Sequence, residues 1–171
     1  MSLEPVRMRS TFFSRCSDAV QTAGSGLRVE RLGRPLPYSR ERIFDIAADV
    51  ERYPQFLRWW ISARVLRREA KVLHVEQVLG TGPVHLSFAS TAVLQRPERL
   101  DVSSPDPMFR KFELCFLVSD RGRDACSLRI TAELELRSRL QQLVFGATLS
   151  ASVDEILASF EARAHELYGA H

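Results

Sequence analysis

The chain lacks most of the features that announce chemistry. Its four histidines, His74, His85, His165 and His171, show no HExxH or other paired-ligand spacing, so a metal site is not expected. No GxSxG elbow, Walker loop or dinucleotide fingerprint occurs, and Gly80-Thr81-Gly82 reads as a turn. The three cysteines, Cys16, Cys115 and Cys126, are odd in number and have no metal spacing. They read as reduced thiols, with Cys115 and Cys126 as small core residues of strands. No continuous apolar run approaches the roughly 20 residues of a spanning helix, because the longest uncharged stretch, 77–95, is broken at Gly80-Thr81-Gly82-Pro83. No apolar h-region opens the chain, so secretion is not expected. Lysine is nearly absent: all basic side chains but Lys71 and Lys111 are arginine. That reads first as a GC-rich coding bias and only second as selection for phosphate contacts.

What is present suits one globular domain with a sizeable core, since 171 residues are enough for one and 45% of them are hydrophobic. A formal charge of +3 permits an anionic membrane or RNA surface as partner without demanding one. DNA is not expected. Residues 1–26 differ from the rest. They carry Arg7, Arg9 and Arg15 against Glu4 and Asp18, and end in Gly24-Ser25-Gly26. They read as a flexible extension; an Arg- and Ser-rich, acid-poor segment also suits a membrane-surface helix or an organelle transit segment. Residues 27–171 form the domain.

Residues 36–60, LPYSRERIFDIAADVERYPQFLRWW, are the most informative stretch. Ser39 caps a helix, with Tyr38 placed to staple onto Ile43. Ile43 with Ala47, and Phe44 with Ala48, share a face at spacing four. Asp49 ends the helix, which accounts for it better than a catalytic pairing with Glu51 does. An aromatic turn follows, Tyr53-Pro54-Gln55-Phe56-Leu57, and Trp59 and Trp60 open a strand. So many aromatics in a connection need burial, and the mouth of an apolar cavity would supply it.

From Trp59 to Leu136 the period is two. Ile61, Ala63 and Val65 alternate with Ser62, Arg64 and Leu66. The same pattern recurs around Leu73 and Val75, Val84 to Phe88, Leu100 and Val102, Phe112 to Val118, and Leu128 to Leu136. One buried and one wet face is the mark of an antiparallel sheet. Turn residues fall at 80–83, 97–98, 104–107 and 120–124. A long helix closes the chain, with Ser138 and Gln141 at capping-box spacing and Gly169 at its stop. Its second half is amphipathic. Its first half, 140–153, carries no charge on any face, so one side suits the sheet and another needs a ligand, a partner or a lipid surface. The small residues Gly146, Ala147, Ser150 and Ala151 leave room there. Strand, helix, five or six antiparallel strands and a long final helix predict an α+β helix-grip fold, a curved sheet of six to seven strands wrapped around its C-terminal helix.

Four blocks carry a resemblance: LPYSRERIFDIAADVERYPQFL at 36–57, SARVLRRE at 62–69, FRKFELCF at 109–116, and LELRSRLQQLVFG with FEARAHELYG at 134–146 and 160–169. The chain resembles the coenzyme Q-binding START-domain family, within the polyketide cyclase/START-like superfamily, whose bacterial members include ribosome-association toxins. It departs from the family at Arg58-Trp59-Trp60, where Pro-Trp-Cys is usual, at Pro107-Met108-Phe109 in place of Gly-Pro-Phe, and at Phe116 in place of tryptophan. These departures bear on the ligand rather than on the fold.

The resemblance implies a non-enzymatic protein that binds ubiquinone or a similar polyprenylated quinone or lipid and delivers it for respiration or quinone biosynthesis. Ubiquinone would be a bound ligand, not a cofactor. The implied setting is peripheral to the inner membrane, on the cytoplasmic side in a bacterium or in the mitochondrion in a eukaryote. The expected lining is Phe44, Tyr53, Phe56, Leu57, Trp60, Phe88, Phe112, Phe116, Leu149 and Val153. Ten buried isoprenoid carbons would contribute on the order of 8 kcal/mol before ordering costs, so no catalytic group is needed to hold such a guest. Two other readings stand beside this one. The first is binding to the large ribosomal subunit through Arg64, Arg67 and Arg68. The second is a polyketide aromatase or cyclase, which needs an acid–base group facing the cavity. His85 reads as a surface residue, or else as a polar contact to a ligand headgroup.

Overall fold

The computed structural model describes residues 26–169, so the expected extension lies, but for Gly26, outside the described residues. Strand β1 (Leu27–Leu32) precedes helix α1 (Arg40–Ala48). A 3-10 turn (Val50–Arg52) and a short helix α2 (Tyr53–Phe56) lead into six strands. These are β2 (Trp60–Glu69), β3 (Val72–Thr81), β4 (Val84–Gln95), β5 (Arg99–Ser103), β6 (Phe109–Asp120) and β7 (Cys126–Leu136). Helix α3 (Arg139–Tyr168) closes the chain. The seven strands form one antiparallel sheet in the order β1-β7-β6-β5-β4-β3-β2, a meander whose first strand is stitched to its last. This is the helix-grip architecture that the sequence predicts.

Local chemistry sets the boundaries. The Ser39 hydroxyl accepts from the Arg42 amide at 3.5 Å, and Asp49 ends α1. Ile43, Phe44, Ile46 and Ala47 form its buried face. The segment expected as an aromatic turn is instead helical, with Pro54 in the first turn of α2, where a missing N–H costs no intrahelical bond. The Ser138 hydroxyl caps α3 by accepting from the Gln141 amide at 3.4 Å, and Gly169, at φ +80°, ends it. Gln142 accepts from the Leu136 amide at 2.7 Å and so ties the start of α3 to the end of β7. At the other end, the Tyr38 hydroxyl donates to the Gly169 carbonyl and pairs with His165 Nδ1, both at 2.6 Å.

Two further expectations change. Ile61 and Leu66 do not belong to a strict alternation. The register shifts between Trp60 and Ser62 and again between Val65 and Arg67, and the extra residues bulge outward, about half exposed. Bulges suit an edge strand, because they spoil it as a template for another chain. The small-residue stripe of α3 does not leave room for a guest either. A Cβ at Gly146 would lie 2.5 Å from Leu27 Cδ1, and Ser150 accepts from Arg31 at 2.6 Å, so part of this stripe is filled by β1.

Two apolar clusters make the core. The larger surrounds Phe116 and Phe160 and takes in α1 and α2. The smaller lies at the start of α3 and joins Leu86, Phe88, Phe109, Leu134, Leu136 and Phe145. Although no continuous apolar run of spanning length is expected or occurs, α3 meets the measure of a membrane span by length and mean hydropathy; here it packs chiefly on β7 and β1. Leu140 and Leu143, in its first half, are 70% and 71% exposed.

Candidate functional site: an apolar cavity beneath the final helix

Between the two clusters lies a cavity of about 80 Å³. Strand alternation aims its wall: Trp60 comes from β2, Leu79 from β3, Leu86 from β4, Phe112 and Leu114 from β6, and Ala132 and Leu134 from β7. Helical spacing supplies the roof, Phe145, Leu149, Val153 and Ile156, one or two turns apart on one face of α3. Trp59 borders the cavity beside Trp60. The two roof hydroxyls are turned to the helix itself. Thr148 donates to the Val144 and Phe145 carbonyls at 3.3 and 3.2 Å, and Ser152 to the Thr148 carbonyl at 2.8 Å. The lining therefore offers carbon surface, the chemistry of an apolar guest.

Of the residues expected to line a cavity, Trp60, Phe112, Leu149 and Val153 do so. Phe88 stands behind the wall, its ring 4.9 Å from those of Phe109 and Phe112. Phe44, Tyr53, Phe56, Leu57 and Phe116 belong to the main core. For Tyr53, Phe56 and Leu57 the reason is α2: a helical turn there folds the aromatic segment inward under α3 instead of across a mouth. Tyr53 donates to the Ala47 carbonyl at 2.5 Å and meets Phe56, Trp60 and Phe160 edge-on. Phe116 lies 5.4 Å from Phe160. Sequence reasoning missed Leu79, Leu86, Leu114, Ala132 and Leu134 as lining, although each is in phase with a named buried neighbour. It also missed Phe145 and Ile156, which follow from the period of α3.

Charge around the cavity is engaged elsewhere. Glu113 and Glu133 border it from facing positions on β6 and β7. The Glu113 carboxylate pairs with Lys111 at 3.6 Å, and that of Glu133 pairs with Lys111 and Arg28. Burial pushes the Glu133 carboxyl up, but the hydrogen bonds from Lys111 and Arg28 outweigh it and hold the group below the usual carboxylate range. Burial pushes the Cys126 thiol up to about 11, and burial followed by Asp49 raises the Tyr53 phenol. Both lie in the core outside the lining. Among the described residues no group of three His, Cys, Asp or Glu is placed to hold a metal ion.

A polar chain lies among the apolar residues of β2, β3 and β4 on the inner face of the sheet. Trp60 Nε1 donates to Gln77 Oε1 at 2.8 Å, and Gln77 Nε2 donates to Ser90 Oγ at 2.6 Å. All three residues are buried. A second hollow, about 170 Å³, lies between Gly33, Leu36, Leu128 and Leu157, beside the Arg34–Glu161 ion pair.

A curved sheet gripping a C-terminal helix over an apolar cavity defines a START-like helix-grip domain. Residues 36–161 match the family described as polyketide cyclase / dehydrase and lipid transport, and the chain belongs to that family. The chain is similar to a protein named ribosome association toxin RatA from Pseudomonas aeruginosa, 24% identical over 134 residues, 78% of this chain and 93% of that one. It is similar to coenzyme Q-binding protein COQ10 homolog B, mitochondrial, from Xenopus laevis, 28% identical over 138 residues, 78% of this chain and 57% of that one. Among solved structures, a START superfamily protein from Mycobacterium smegmatis superposes with a TM-score of 0.70 at 16% identity, covering 82% of this chain and 98% of that one. That likeness speaks to the fold.

Proposed function

We propose that this protein is a non-enzymatic carrier that binds ubiquinone or a similar polyprenylated quinone or lipid and delivers it for respiration or quinone biosynthesis. The observation that carries the reading is the apolar cavity between sheet and α3, whose roof hydroxyls are turned away. The likeness to a coenzyme Q-binding relative supports the choice of guest. The lining has the chemistry for an isoprenoid, but a cavity of about 80 Å³ does not hold one. Loading therefore requires the first half of α3, around residues 143–152, to lift from the sheet. The exposed Leu140 and Leu143 then meet the acyl region of a bilayer, and Arg137 and Arg139 beside them meet anionic headgroups. Delivery is thus peripheral to a membrane: the inner membrane of a bacterium, or of a mitochondrion if the chain is eukaryotic.

Lipid extraction and mass spectrometry of gently purified protein, with titration by a ubiquinone analogue, tests this. Recovery of a prenylated quinone and saturable binding are expected. An extract without hydrophobic small molecules, together with no binding, ends the proposal.

The ribosome reading draws on the RatA likeness and on Arg64, Arg67 and Arg68, all on edge strand β2. Arg64 pairs with Glu76 at 2.9 Å and Arg67 pairs with Glu69, which lowers what they offer to phosphate. Salt-sensitive co-sedimentation with the large subunit would support that reading; none at low salt would remove it.

A further inference from the structure

The carrier reading explains the carbon surface of the cavity but not the buried polar chain behind it. Trp60, Gln77 and Ser90 sit on three adjacent strands, β2, β3 and β4. Their neighbours on that face are apolar: Leu73, Val75 and Leu79 on β3, and Leu86, Phe88 and Ala92 on β4. Buried polar networks of this kind are often no better for stability than well-packed hydrocarbon. An amide in this position asks for a polar reason.

The chain has hydrogen-bonding capacity left over. Gln77 has two amide protons and two oxygen lone pairs. Trp60 occupies one lone pair and Ser90 takes one proton. Among the described residues, the Ser90 hydroxyl proton and the second Gln77 amide proton have no acceptor. Both remaining groups are donors on side chains that are 95% buried or more. Their complement is an acceptor oxygen.

The chain also adjoins the cavity. Trp60 lines it, and Leu79, the next residue on the same face of β3 after Gln77, lines it too. Register orients the rest. Leu79 pairs with Leu86, Gln77 with Phe88 and Val75 with Ser90, so Ser90 lies farther from the β3–β4 turn than the cavity wall does. Phe145 and the exposed Leu143 lie toward the opposite end, where α3 begins.

We infer that Gln77 and Ser90, held by Trp60, form a donor site for a ring carbonyl of the bound ligand. This rests on the carrier reading and adds a polarity to it. The oxygenated ring goes in first, against β2–β4, and the apolar tail trails beneath α3 toward Leu143. The site selects a ligand with an acceptor oxygen over a hydrocarbon of the same shape.

The test compares decylubiquinone with decylbenzene, which keeps a ring and tail but no oxygen. Affinities for the full chain are measured by displacement of an apolar fluorescent dye. Ser90→Ala removes one donor, and Gln77→Leu removes the amide. Each is expected to weaken decylubiquinone about tenfold, the effect of one hydrogen bond, and Ser90→Ala, which keeps the Trp60–Gln77 bond, to leave decylbenzene unchanged. The infrared carbonyl stretch of bound decylubiquinone should lie lower in the native protein than in Ser90→Ala. If Gln77→Leu does not fold, Ser90→Ala decides alone. Equal losses for both ligands, or no loss for either, overturns the inference while leaving the carrier reading intact. A native protein that binds neither ligand overturns both.

Discussion

The indole nitrogen of Trp59 donates to the Glu155 carboxylate at 3.0 Å, joining the residue before β2 to the middle of α3. Arg58 reinforces the contact, with its guanidinium 5.2 Å from the Trp59 ring centre and its Nε 3.6 Å from Glu155. Trp59 borders the cavity, so this cluster fastens α3 over it. Glu155→Ala removes a charge-assisted bond, an effect of about 1.5–3 kcal/mol where it is lost outright. Release of bound decylubiquinone, followed by stopped-flow fluorescence, should quicken about tenfold; an unchanged rate would mean that α3 lifts elsewhere.

Ala132 faces the cavity from β7. Ala132→Leu should place new carbon in the void without displacing a neighbour's charge. Stability is expected to hold or to rise by about 1 kcal/mol, while quinone binding is lost. Thermal unfolding and titration on the same sample separate the two effects. Binding that survives would put the ligand outside this cavity.

Phe116 makes the opposite case. It is fully buried against Phe160 and lies outside the lining. Phe116→Ala should cost about 3–5 kcal/mol by chemical denaturation. Below its melting temperature it should still bind quinone within a few-fold of the native affinity. A selective loss of binding at full stability would return Phe116 to the site.

The depressed Glu133 carboxyl predicts a pH dependence. Its folded value lies below its unfolded one, so the folded state binds fewer protons around that range. The resulting stability is present above the unfolded value, near about 4.3 for glutamate, and is lost as pH falls through the folded value. Melting temperatures between about pH 7 and about pH 3 should fall less steeply for Glu133→Gln than for the native chain. Identical slopes would show that Lys111 and Arg28 contribute nothing through this group.

Leu140 and Leu143 are exposed on the uncharged half of α3. Leu140→Ser with Leu143→Ser should reduce co-flotation with anionic vesicles several-fold and leave the melting temperature within a few degrees, since neither side chain is buried. Equal flotation would point to a different membrane-facing surface.

Much of the fold was legible because burial in a sheet has a period. Leu128, Ile130, Ala132 and Leu134 announced β7, and Ser39 and Ser138 announced the helix starts. The same alternation holds the missed lining residues, and it holds the polar pair as well: Gln77 is in phase with Val75 and Leu79, and Ser90 with Leu86 and Phe88. A polar residue in a buried phase was a signal available in the sequence. Three things were not legible. The bulges at Ile61 and Leu66 depend on pairing with β3. The filling of Gly146 depends on Leu27, a partner distant in the chain. The inward turn of Tyr53 and Phe56 depends on a short helix that looks like a turn when only its aromatics are counted.

Stitching β1 to β7 has a consequence for how the chain comes into being. During synthesis, residues 27–32 emerge early and find no strand beside them until 126–136 follow. Nearly the whole domain must be made before its two ends can zip together, and closing so wide a loop is slow. A nascent chain halted short of residue 126 would carry an unpaired edge, and the domain would reach its native topology only after the last strand is free.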